Sequence, residues 1–230
     1  MPTVLNVGVF AMFIGHYGVA LAAKKVAPKT SLGTLFLATS FIDLLWPLFL
    51  LAGLEQVRIA PGDTKFTPLE FVSYPYSHSL LMVALWGVAL AVPYKFITRY
   101  GRGAFILWAL TVSHWFLDFL SHRPDLPLSP FGTMKMGLGL WDSVPATLIV
   151  ETAIFAGGAW VYLSATAAQN KKGSIGLWAL LAFFMVSYVS AAFGPPPPNV
   201  EMIAYFAPFA WIFIFWGHWV DRNRRAVTAP

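Results

Sequence analysis

Long apolar runs separated by short polar connections set the pattern of this chain. Seven such runs, at residues 4–23, 32–54, 77–96, 103–120, 141–163, 175–193 and 202–220, each come close to the ~20 residues a helix needs to cross a bilayer. A backbone in hydrocarbon must satisfy its own polar groups, and an α-helix does so within one segment. The pattern therefore predicts an all-α, polytopic membrane helix bundle of seven transmembrane helices. It forms one integral membrane domain over residues 1–230.

Charge placement orients the bundle. Lys24, Lys25 and Lys29 follow the first run, Lys95, Arg99 and Arg102 the third, Lys171 and Lys172 the fifth, and Arg222, Arg224 and Arg225 the seventh. Eleven of the 15 basic residues thus fall on one side, and only Arg58, Lys65, Arg123 and Lys135 on the other. The positive-inside rule then places the N-terminus outside and the C-terminus in the cytoplasm. An even number of spans would break the alternation. The stretch before Val4 has no basic residue, which argues against a cleaved signal peptide.

Composition agrees with this reading and removes several functions. Charged residues are 11% of the chain, against roughly 25% in soluble domains. Cysteine is absent, which excludes disulfides, thiolate catalysis and cysteine-held metals. The net charge of +5 sits at helix ends and is explained by topology, so no nucleic-acid partner is expected. No internal repeat of the kind common in transporters is visible. The outer connections differ from the inner ones. Residues 55–76 are rich in Pro, Asp, Glu and aromatics, residues 123–140 carry several Pro and Gly, and Gly194-Pro-Pro-Pro-Pro198 is a stiff spacer.

The candidate chemistry lies inside the runs. His114, Asp118 and His122 recur every fourth residue, which on a helix places them along one stripe. Imidazole and carboxylate are also the ligands preferred by borderline metals such as Zn²⁺. His16, Asp43, His78 and Glu151 lie in other runs. With a rise of ~1.5 Å per residue, Asp43, His114 and Glu151 fall roughly 10–16 Å from the outer side, and His16 about 18–20 Å. These groups could converge in the outer half of the bilayer. A charge at mid-membrane costs about 2.5–3.5 kcal/mol. Apart from Lys95 at the inner end of the third run, no Lys or Arg lies within the runs to neutralise Asp43, Asp118 and Glu151, so a bound divalent cation is the simplest solution.

Blander roles stand beside these. His16 could serve helix packing, His78 could be interfacial, and His122 and Asp125 could shape a loop. Asp142 reads as a helix N-terminal residue favoured by the helix dipole. Glu151 could be a ligand, a proton carrier or a support for a ligand. His218 sits at the opposite face and cannot join the others.

The ordered set Gly15-His16, Asp43-Leu-Leu-Trp46, Ser77-His78-Ser79 and His114-Trp-Phe-Leu-Asp118, followed by Pro130-Phe131, resembles the membrane-bound metal-dependent hydrolase family of bacteria. That family includes YdjM-like inner-membrane proteins and is often likened to zinc-dependent phospholipase C. The resemblance covers residues 15–131 and leaves the last three runs aside. It implies a bacterial inner-membrane hydrolase in which His16, Asp43, His78, His114 and Asp118 hold one or two divalent ions, most simply Zn²⁺, and His122, on the same stripe, is a further candidate ligand outside the family pattern. Glu151 or Asp118 would act as general base, and the substrate would be a membrane lipid or lipid-linked (phospho)ester. Two other readings stay open from the residues alone. One is a proton- or ion-coupled transporter using intramembrane His, Asp and Glu. The other is a membrane subunit whose metal is structural.

Overall fold

The computed structural model describes residues 14–206 and 209–227. Its elements in chain order are α1 (Ile14–Ala23), α2 (Leu32–Thr39), α3 (Phe41–Leu51), β1 (Gln56–Ile59), β2 (Leu69–Ser73), α4 (Pro75–His78), α5 (Leu80–Thr98) and α6 (Gly101–Ser121). Then follow β3 (Leu126–Pro127), β4 (Lys135–Met136), α7 (Val144–Ala165), β5 (Thr166–Ala168), α8 (Lys171–Phe193), α9 (Val200–Phe206), α10 (Ala210–Arg222) and β6 (Arg224–Ala226).

Helix starts follow from small polar caps. Ser31 accepts from Thr34 N, Ser79 from Met82 N, Ser143 from Ala146 N and Asn170 from Gly173 N, each satisfying an amide that the first turn leaves free. Asp142 instead closes a 3-10 turn, Leu140–Asp142, and Ser143 takes the capping role expected nearer Asp142.

Four helices, α5 to α8, and the stretch Val200–Arg222 are long and apolar enough to cross a membrane. The count reaches six if α2 and α3, bent by 49°, form one broken span. The chain is accordingly an integral membrane protein built of helices. The first predicted run, 4–23, is represented by α1, and its residues 4–13 lie outside the described residues. Large apolar side chains face outward along these helices, among them Leu85, Val88 and Val92 on α5, Ile149 and Trp160 on α7, and Ile175, Trp178 and Val186 on α8. In water such faces would be a liability, whereas lipid tails are as apolar as they are.

Packing inside the bundle is set by glycine. α1 packs on α7, α5 on α6 and α10 on α2. A Cβ on Gly18 would lie 2.6 Å from Ile154 O, and one on Gly158 would run into the Gly18 backbone. Gly157 and Gly158 would also permit a helix break, but α7 runs unbroken, and Gly158 serves close approach instead.

Two sequence expectations are corrected. The second run is not one straight helix, because it breaks at Ser40. The outer loop 55–76 holds an antiparallel hairpin, β1 with β2, in which Val57 pairs Phe71 and Ile59 pairs Leu69. Short antiparallel pairs also join β3 to β4 and β5 to β6. The last of these closes the end of the bundle remote from the hairpin. There buried Lys24 donates to Asp221 Oδ2 at 2.7 Å and to Thr30 O at 2.9 Å.

Candidate metal centre

The site is assembled from α1, α3, α4 and α6. His114 and Asp118 share the inward face of α6, one turn apart. Asp118 Oδ2 lies 3.2 Å from His114 Nε2, and Asp118 Oδ1 lies 3.4 Å from His16 Nε2 on α1. Asp43, in the first turn of α3, places Oδ1 3.4 Å from His78 Nε2 and 3.5 Å from His114 Nε2. His78 ends α4, with Nε2 4.0 Å from Asp118 Oδ2. All but Asp43 are almost fully buried. The Asp43 side chain is 36% exposed, so it is the more open of the two carboxylates that line the adjoining cavity.

The break in the second run creates part of this geometry. In a continuous helix the Thr39 carbonyl would accept from the amide four residues on. The chain bends at Ser40 instead, and the Thr39 carbonyl receives His114 Nδ1 at 2.6 Å. A carbonyl only accepts, so His114 Nδ1 carries a hydrogen, and in the neutral ring Nε2 presents a lone pair to the site. Thr111 Oγ1 donates to the Ala38 carbonyl at 2.9 Å, and Ser40 Oγ to Phe36 O at 2.6 Å. The Ala38 and Thr39 carbonyls beside the bend thereby find partners on α6, while Phe36 O also accepts from Ser40 N.

The donor set fits a divalent cation. Two groupings, His16 with His114 and Asp118, and Asp43 with His78 and His114, each bring their ligand atoms within 4.8 Å of one another. The His–Asp separations within them, 3.2–3.5 Å, lie close to the ~3.3 Å edge of a tetrahedron with ~2.0–2.1 Å metal–nitrogen bonds. His114 Nε2 and Asp118 Oδ2 are buried and make no hydrogen bond, although they face each other at short range. Atoms aimed at a common point rather than at each other are what a shared cation requires. Three imidazoles and two carboxylates are a borderline-metal set.

The remaining predicted residues stand outside the two groupings, although His122 lines the same cavity. His122 belongs to neither grouping. Helix α6 ends at Ser121, and His122 takes an extended conformation, so the every-fourth stripe stops one residue short of it. Its Nδ1 turns to Asp125 Oδ1 at 3.0 Å and Tyr74 Oη at 3.2 Å. These contacts occupy the Nδ1 edge of the ring with the loop. Glu151 is buried on α7 and accepts from Gly15 N at 2.7 Å. It stands outside the cavity lining and, through this bond, ties α7 to the start of α1. His218 pairs with Ser31 Oγ at 2.8 Å, remote from the site.

Sequence reasoning missed Glu55. It lies just past the end of α3, is 2% exposed, and accepts from Tyr76 N, Ser77 N and Ser77 Oγ at 2.7–2.8 Å. Its only signal was an acid in a loop without a neighbouring base. Tyr74 was missed too, and it donates to Asp125 at 2.6 Å. Burial pushes the Asp125 carboxyl up, but His122, Tyr74 and Arg123 outweigh it and hold the group below the usual carboxylate range.

A cavity of about 310 Å³ opens onto the site. His16, Asp43, His78 and Asp118 line its polar end, and Trp46, Phe66, Phe71 and Ile203 its apolar walls. Lys65 and Pro195 to Pro197 also line it. No protein-family model, curated protein or solved structure matches this chain.

Proposed function

We propose that this protein is a membrane-embedded, metal-dependent hydrolase of the bacterial inner membrane that cleaves a lipid or lipid-linked (phospho)ester. The proposal includes seven spans, an outer N-terminus and a cytoplasmic C-terminus. One observation carries it: three imidazoles and two carboxylates from four helices meet at the end of a largely apolar cavity. His16, Asp43, His78, His114 and Asp118 would hold the ion, most simply Zn²⁺. A bound ion of this kind supplies Lewis acidity and lowers the pKa of its water toward ~7. Asp43, open to the cavity, is the carboxylate placed to take a proton from water that enters. Lys65 makes no ion pair among the described residues, whereas Arg58 pairs with Glu70, and Arg123 with Asp63 and Asp125. Lys65 is therefore available to an anionic head group, while Trp46, Phe66 and Phe71 exclude water.

The bend at Ser40 favours a transporter as the second reading, because broken helices line many transport sites. Against it, Tyr17, Phe36, Phe184 and Phe213 form a buried aromatic cluster between the site and the Lys24–Asp221 pair. Such a cluster offers a transported ion no polar groups on the side of the site away from the cavity.

Metal analysis of the purified chain tests the proposal first, and a stoichiometric divalent ion is expected. Turnover of phosphoester and carboxylic ester lipids in mixed micelles, lost on chelation and restored by Zn²⁺, tests it second. A metal-free preparation indifferent to chelators overturns it. Proteoliposome flux without turnover would favour the second reading.

A further inference from the structure

The hydrogen-bond chain from Glu55 through Ser77 to His78 runs in one direction. Ser77 Oγ carries a single hydrogen and lies 2.7 Å from Glu55 Oε2 and 2.6 Å from His78 Nδ1. A carboxylate accepts only, so the hydroxyl hydrogen goes to Glu55. Ser77 Oγ can then only accept from the imidazole, and His78 Nδ1 must carry a hydrogen. In the neutral imidazole that leaves a lone pair on His78 Nε2, the atom 3.4 Å from Asp43 Oδ1.

Glu55 is held so that it cannot turn away. Its Oε1 accepts from Tyr76 N and Ser77 N, both at 2.8 Å. Just before it, Leu54 N bonds Phe49 O at 2.9 Å and Gly53 N bonds Leu50 O at 3.0 Å. This is the paired closure of a helix C-terminus, and it needs the left-handed backbone that Gly53 adopts at φ 68°. Just after it, Gln56 enters the hairpin opposite Ser73. Glu55 and Ser77 are both almost fully buried, so water does not compete for the chain.

We propose that Glu55 is a positioning residue which, through Ser77, sets the tautomer of His78 so that Nε2 faces the site as a lone pair. The inference rests on the metal reading of the site for its purpose, while the tautomer itself can be read without metal. It makes a specific prediction for E55Q. A glutamine oxygen can keep both backbone amides, but its NH₂ then faces Ser77 Oγ and donates. The hydroxyl hydrogen is turned toward His78 Nδ1, and the imidazole hydrogen moves to Nε2, where it blocks a metal.

The test uses the full chain, ¹⁵N-labelled at histidine, purified in detergent and stripped of metal. The wild type should show His78 with hydrogen on Nδ1, and E55Q should show it on Nε2. Zn²⁺ affinity, measured by chelator competition, should fall about 10–100-fold in E55Q. In S77A the tautomer should no longer be fixed, and adding E55Q to S77A should change neither readout further. S77A carries the test alone if E55Q does not fold. A wild-type His78 protonated on Nε2, or one whose tautomer is unmoved by E55Q or S77A, overturns the inference. A wild type with the expected tautomer that binds no Zn²⁺ supports the relay and overturns the metal reading instead.

Discussion

An acidic side chain in hydrocarbon has to find a partner, and the residues here find imidazoles. Asp118 reaches His16 and His114, and Asp43 reaches His78 and His114. His114 is common to both groupings, so H114A should abolish stoichiometric metal, whereas H122A should retain it. Elemental analysis of the two purified variants checks this. His122 has its own circuit with Asp125 and Tyr74 in the loop. Because the folded Asp125 carboxyl titrates below its unfolded value, its ionised form stabilises the fold above pH ~4. That contribution is lost as pH falls through the folded pKa. D125N should therefore lower the melting temperature at pH 7, with a cost of about 1–3 kcal/mol from a disrupted buried hydrogen-bond network. The gap to the wild type should narrow as the pH drops below ~4. A gap independent of pH in thermal melts would refute this account.

Elements decide which of these residues can meet. The bend at Ser40 points Asp43 toward the site and frees the Thr39 carbonyl to orient His114. Close contact between α1 and α7 depends on Gly18 and Gly158, because neither has room for a Cβ. G158V should push the two helices apart and destabilise the chain by about 1–3 kcal/mol or more. Since α1 carries His16, it should also weaken Zn²⁺ binding. Thermal melts and chelator competition on one preparation would show whether both effects occur. The glycines were plain in the sequence. Their use in close approach rather than as a break was not, since either use leaves the same letters.

At the scale of the whole molecule the site lies toward one end, beneath the hairpin β1–β2 and the proline spacer, and a separate ionic lock ties the other end. The absence of cysteine makes the membrane orientation directly measurable. K135C should react with an impermeant maleimide on intact cells, and R225C only after permeabilisation. The reverse pattern would invert the proposed topology and place the cavity on the cytoplasmic side.

By itself the sequence determined the membrane class, the helical architecture and the approximate limits of most spans, and it named His16, Asp43, His78, His114 and Asp118 among the candidates that the fold brings together. Hydrophobic length and the cost of isolated charge act along the chain and leave a local record. The tertiary structure alone decided that His122 turns away, that Glu151 supports α1, that the second run bends at Ser40, and that Glu55 stands behind His78. Each depends on where a helix stops or which carbonyl another segment can reach, and these follow from packing between residues far apart in sequence.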